Sequence, residues 1–193
     1  MLMTGCISQK RNSYSDTVYY MVDRKHPLPA SYVPEDLVIA PIPFVAAMDD
    51  PRCLVRADVY FPLRSLYFSA RDEGILLYGV CAYRSYKQQK ELYEKSIRMH
   101  GLSYTRKYVT PPGMSEHQTG LAIDLSCPSN HYELNENFAT TPEGIWLKRN
   151  AIRFGFEFSY PLASHLRNGY CYEPWHIRFS CKSERFYGMI DDV

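Results

Sequence analysis

The chain contains no run approaching the roughly 18 to 20 consecutive apolar residues that a membrane-spanning helix requires, so no integral span is expected. An excess of one charge is missing as well. The 22 Lys and Arg against 21 Asp and Glu leave a formal net charge of +1, and no global field selects nucleic acid or an anionic surface as partner. There is no internal repeat and no low-complexity tract. Close cysteine pairs are also absent. Cys6, Cys53, Cys81, Cys127, Cys171 and Cys181 never stand in the C-x-x-C spacing of a thiolate zinc site, so they are not expected as metal ligands, and their pairing is left unassigned.

What is present suits one folded unit. Of 193 residues, 46% are apolar, enough to bury one sizeable core but a poor fit to two independent domains. Residues 1–16 read as a polar lead-in and 17–193 as a single domain. Met3-Thr4-Gly5-Cys6 has the form of the end of a bacterial lipoprotein signal, although the five residues before Cys6 fall short of the apolar stretch such a signal needs. The expected location is therefore exported, at the cell envelope or surface, with lipid anchoring through Cys6 and a cytoplasmic location both left open. The 17 tyrosines and nine phenylalanines suit an ordinary core as well as a groove for peptide or sugar.

Prolines at 27, 29, 34, 41 and 43 favour extended chain wrapped on a surface over helix. Leu63, Leu66, Tyr67 and Ala70 lie on one helical face between Pro62 and a stop at Gly74. Ile75 to Ala82 has strand length, and Ser85-x-x-Gln88 is a capping box that opens a helix from Tyr86 to a stop at Gly101. Leu121 to Ser126 reads as a strand, with Asp124 on the face opposite Leu121, Ile123 and Leu125. Thr141-Pro142 is an N-cap followed by proline at the first helical position. Phe156 to Tyr160 and Trp175 to Ser180 are further strands. This irregular order predicts an α+β fold, a small antiparallel sheet with flanking helices.

Three residues have the character of metal ligands. His117 and Asp124 are seven apart, one in a glycine-containing loop and one on a strand, and His176 opens a strand after Glu173-Pro174-Trp175. Two imidazoles and one carboxylate match the N and O donors zinc takes while leaving a fourth position open. His26, His100, His131 and His165 lack any such flanking pattern.

With these residues in place, the chain resembles the VanY-type zinc D-alanyl-D-alanine carboxypeptidases, within the group that includes the VanX dipeptidases and some phage endolysins. The resemblance runs from Arg24 to Phe179. It rests on Tyr83-Arg84-Ser85 with Gln88, on Pro112 through Asp124, on Trp146-Leu147 with Tyr160-Pro161, and on Glu173-Pro174-Trp175-His176-Ile177-Arg178. It implies a hedgehog/DD-peptidase-like single domain with one Zn2+ per chain on His117, Asp124 and His176. It further implies Glu173 as general base, and Arg84 and Ser115 holding a peptidoglycan stem peptide. Arg84 has two candidate tasks, pairing with the terminal carboxylate or stabilising the oxyanion. Gln88 is a candidate substrate contact and equally the capping partner of Ser85. One departure is visible: Cys81-Ala82 stands where the family usually has Ser-Gly, and the added methyl bears on the shape of the Arg84 pocket.

The implied activity is hydrolysis of the C-terminal D-Ala from stem peptides by a monomer. Three alternatives remain: L,D-carboxypeptidase, endopeptidase on the same stems, and a zinc-stabilised wall-binding module that does not cut.

Overall fold

The computed structural model describes residues 22–162 and 170–180. The lead-in 1–16, the signal-like sequence ending at Cys6, His165 and Cys181 lie outside the described residues.

Two sheets and three helices make up the described regular structure. The strands are β1 (Leu37–Ile39), β2 (Leu54–Arg56), β3 (Tyr78–Cys81), β4 (Ala122–Ser126), β5 (Phe156–Glu157) and β6 (His176–Phe179). The helices are α1 (Ala57–Asp72), α2 (Tyr86–Tyr108) and α3 (Pro142–Asn150). β1 and β2 form an antiparallel pair, and the main sheet runs β3-β4-β6-β5 with every neighbour antiparallel. The fold is α+β with a small antiparallel sheet, as the order of motifs predicts.

The core lies between the sheet and α1. Val59, Leu63, Leu66 and Ala70 bury one stripe of α1 against Leu121, Ile123 and Leu125 and against Ile177. β4 is buried along its whole length, because the core covers one face and the face bearing Asp124 lies under loops. α1 begins five residues before the predicted Pro62. Proline in a helix interior removes one backbone donor, but Pro62 is buried in the stripe that packs the core, and tertiary packing outweighs the local penalty.

The capping boundaries agree with the sequence. At Ser85, the hydroxyl accepts from Gln88 N at 3.3 Å and Gln88 Oε1 accepts from Ser85 N at 2.9 Å. Thr141 Oγ1 accepts from Gly144 N at 3.0 Å. Gly101, predicted as a helix stop, does break the helix with a non-helical backbone at φ 81°, ψ 166°, and a second helical stretch follows it to Tyr108. Thr105 explains the continuation. Its hydroxyl donates to Gly101 O at 2.9 Å and lies 2.8 Å from Ser96 Oγ, so a buried polar clasp joins the two halves.

The proline-rich segment before β1 is extended and lies on the body. Leu28 N donates to Gly113 O at 2.7 Å, and Gln118 Nε2 donates to Pro29 O and Tyr32 O at 3.0 and 3.2 Å. Among the described residues Cys53, Cys81, Cys127 and Cys171 are free thiols.

Candidate active site

Sheet register builds the centre of the site. Asp124 is the cross-strand partner of His176 on one side and, past a bulge between Gly79 and Cys81, of Cys81 on the other. Directly paired residues project from the same face of a sheet, so Cys81, Asp124 and His176 form one row. His117 enters from a short 3-10 turn, Glu116–Thr119, that ends at Gly120. Gly120 has φ 71°, a left-handed conformation glycine adopts without a Cβ penalty.

Both imidazoles meet the same carboxylate. His117 Nε2 lies 3.2 Å from Asp124 Oδ2 and His176 Nδ1 lies 2.9 Å from Asp124 Oδ1. Each ring's other nitrogen is also engaged: His117 Nδ1 lies 2.7 Å from Ala82 O, and His176 Nε2 lies 2.8 Å from Glu116 Oε2. Arg178 Nη1 stands 3.7 Å from the second oxygen of Glu116. All four of His117, Asp124, His176 and Glu116 are buried. A backbone carbonyl or carboxylate behind each imidazole is the arrangement that orients metal-binding histidines and fixes their tautomer.

Electrostatics follow from that packing. Burial pushes the Asp124 carboxyl up, but His117 and His176 outweigh it and hold it far below the usual carboxylate range. Burial likewise opposes a charged His176, yet hydrogen bonds with Asp124 and Glu116 prevail and raise its pKa to about 10. Glu116 is also held down, with burial outweighed by His176. The pKa of His117 is lowered, chiefly by burial.

Glu173 stands beside this cluster in the loop before β6. Its backbone N donates to Tyr160 O at 3.0 Å and its carbonyl accepts from His176 N at 3.2 Å, which fixes the loop. A carboxylate oxygen of Glu173 shares a set with donors of Asp124 and His176, all within 4.8 Å of one another. Burial, reinforced by the nearby negative charges of Asp124 and Glu116, raises its pKa to about 7. The Tyr160 ring packs on His176 with centroids 4.9 Å apart.

Arg84 follows β3 and stands at the start of α2. Nη1 donates to Gln89 Oε1 and Nη2 to Cys81 Sγ, both at 3.0 Å, while Gln89 Nε2 donates to Thr110 O at 2.6 Å. Cys81 is buried, and its thiol is pushed up to about 11. Among the described residues the side-chain partners of Arg84 are therefore uncharged, and its positive charge has no carboxylate on it. Ala82 keeps a negative φ and is fully buried, so the methyl group that replaces glycine is accommodated without backbone strain.

The structure thus brings His117, Asp124, His176 and Glu173 together and places Arg84 at the neighbouring strand end. Ser115 is buried at the head of the His117 turn. Gln88 stays with the helix cap, and Gln89 takes the position beside Arg84. Three neighbours escaped the sequence reading in this role: Glu116, Gln89 and Cys81. Their nearness to known motifs was visible, but Glu116 and His176 are 60 residues apart, and only the fold joins them. Of the other described histidines, His26 pairs with Asp23 at the surface and His100 packs on Tyr104.

Two imidazoles and a carboxylate on one focus, each ring oriented from behind, form a donor set able to hold a divalent cation, with a further carboxylate and an unneutralised arginine alongside. Residues 52–182 match the family described as VanY: D-alanyl-D-alanine carboxypeptidase. The chain belongs to that family. It is 37% identical to YodJ of Bacillus subtilis (strain 168) over 85% of its own length and 60% of that protein, so it spans less than two thirds of this relative. Among solved structures, the LdcB LD-carboxypeptidase matches at 34% identity with a TM-score of 0.81, over 92% of this chain and 83% of the other. A variant of the vancomycin resistance D,D-pentapeptidase VanY, solved in complex with Zn(II), matches at 25% identity and a TM-score of 0.66, over 84% and 88% of the two chains.

Proposed function

We propose that the chain is a zinc-dependent carboxypeptidase that releases the C-terminal D-Ala from peptidoglycan stem peptides. The observation that carries this reading is the convergence of His117 Nε2 and His176 Nδ1 on Asp124, with Ala82 O and Glu116 behind the rings. His117, Asp124 and His176 would hold one Zn2+ per chain. Zinc, when bound, would lower the pKa of its water toward about 7 and polarise the scissile carbonyl.

The chain's own residues supply the rest. Glu173 takes the proton of the attacking water and delivers it to the leaving amine, a task suited to a carboxyl whose pKa lies near neutrality. Arg84 pairs with the substrate's terminal carboxylate, for which a guanidinium with uncharged partners keeps its full charge available. Ser115 shapes the loop that presents His117. Glu116 acts through His176 as a positioning residue.

The high similarity to LdcB favours a second reading, L,D-carboxypeptidase action on a tetrapeptide stem. It uses the same metal and base and differs in the pocket for the leaving residue. Incubation with wall pentapeptide and tetrapeptide, with products identified by mass, separates the two: loss of one alanine from the pentapeptide alone supports the D,D reading. Loss from the tetrapeptide alone replaces it, an internal cut indicates an endopeptidase, and no cut of either peptide indicates a binding module. An action on wall peptides places the protein outside the cytoplasmic membrane, and we take it to work there as a monomer. No helix among the described residues is long and apolar enough to cross a membrane.

A further inference from the structure

The row that the sheet builds across β3, β4 and β6 contains a sulfur that the proposed zinc set does not use. Cys81 Sγ, a ring nitrogen of His117 and a carboxylate oxygen of Asp124 all lie within 4.8 Å of one another, and all three residues are buried. Donors bound at about 2.1 to 2.3 Å to one tetrahedral ion stand about 3.3 to 3.6 Å apart. The three donors can therefore close on one ion if each pair draws together by up to about 1.2 Å, within the reach of side-chain rotation. A different set, Asp124, Glu173 and His176, meets the same limit, and the two sets share Asp124. Cross-strand pairing of Cys81 with Asp124 makes this placement a property of the sheet and not of a loose side chain. Although the spacing of the cysteines argued against any of them as a ligand, the fold puts this one beside two donors.

We propose that Cys81, His117 and Asp124 form a second, overlapping metal set selective for a thiophilic divalent cation such as Cd2+, and that this ion holds the centre in a form that does not cut peptide. The proposal rests on the reading of His117 and Asp124 as metal donors. Thiolate is a soft ligand and favours soft ions over the harder ones that carboxylate and imidazole accept. On binding, the Cys81 thiol gives its proton to water as the sulfur–metal bond forms, with no change in oxidation state. Two consequences follow for the site. Sulfur drawn toward an ion shifts the acceptor of Arg84 Nη2, now 3.0 Å away, and with it one of the two side-chain supports of the substrate-carboxylate anchor. An ion held by Cys81 also occupies His117 and Asp124, two of the three donors of the proposed zinc set. Among the described residues no other cysteine stands in such a cluster.

The test uses the full chain, stripped of metal and titrated with Cd2+ alone while the near-ultraviolet thiolate-to-cadmium absorption is followed. Wild type is expected to develop the band and saturate near one Cd2+ per chain, whereas Cys81→Ser and Cys81→Ala lose it while still taking up one zinc. Preincubation with Cd2+ should inhibit wild type at concentrations at least about tenfold below those needed for Cys81→Ser, consistent with loss of one soft ligand. Absence of the band in wild type overturns the proposal, and so does a band of full intensity in both variants. Zinc uptake by wild type separates the layers: zinc bound without a cadmium–thiolate band removes only the Cys81 set, whereas failure to bind zinc at all removes the underlying reading of the centre.

Discussion

The two halves of the site are held by opposite electrostatic means. On the β4–β6 side, every candidate donor is locked by a charged or strongly polar partner: Asp124 between two imidazoles, His176 between two carboxylates, Glu116 between His176 and Arg178. On the β3–α2 side, Arg84 is oriented by a thiol and an amide that leave its charge intact. The first arrangement suits groups that must stay fixed while a cation is present. The second suits a group whose partner arrives with the substrate.

The largest effect should come from removing a donor on the first side. His176→Ala is expected to reduce zinc from one per chain to a trace and to abolish turnover, read by metal analysis of the folded variant. Glu173→Gln should separate chemistry from metal: zinc content stays at the wild-type level while kcat falls about 10² to 10⁴-fold, as expected for a lost general base. A variant that loses zinc as readily as His176→Ala would place Glu173 among the ligands instead.

Glu116→Gln sharpens the comparison from behind His176. Loss of the carboxylate partner should weaken zinc binding about 10 to 100-fold, measured by competition with a chelator, while Arg84-dependent substrate affinity is unchanged in the zinc-saturated protein. Acidity gives a further handle. His176, with its pKa raised to about 10, carries a proton that a metal must displace. Below that pKa, apparent zinc affinity should therefore rise about tenfold for each unit of increasing pH. A flat affinity between pH 6 and 8 would contradict the protonation of His176.

The smallest effect belongs to the second side. Gln89→Leu removes one hydrogen bond from Arg84 and should lower kcat/KM about five- to tenfold, chiefly through KM, with zinc content untouched. Equal loss of zinc would mean the two halves are coupled more closely than their separate partners suggest.

Much of the fold was legible because it rests on local rules. Ser85 and Thr141 announce their helices through caps, and alternation in Leu121–Ser126 identifies β4. Pro62 misled for the same reason in reverse: it carries a strong local signal for a boundary, and buried packing overrides it, whereas Gly101 does break the helix and the Ser96–Thr105 clasp joins the stretches on either side. Within the site, His117, Asp124 and His176 stood out by type and spacing. Gln89 did not, because Gln88 had the better local claim as capping partner. Glu116 and Cys81 were hidden by the same limit, since strand register and a bulge decide what they face, and neither can be read from neighbours in sequence.

The segment of residues 22–36, ahead of β1, lies as a strap over the turn that carries Glu116 and His117. Both acceptors of the Gln118 side-chain amide, Pro29 O and Tyr32 O, belong to it, and Gln118 itself is fully buried. The stretch that matches the family begins only at residue 52. A fragment trimmed to that boundary would lose both acceptors of the Gln118 amide together with the chain that covers it. That loss would fall on the turn presenting His117. The unit that keeps this turn covered is therefore longer than the family match, and removal of residues 22–51 is expected to loosen the turn before it takes away any candidate site residue.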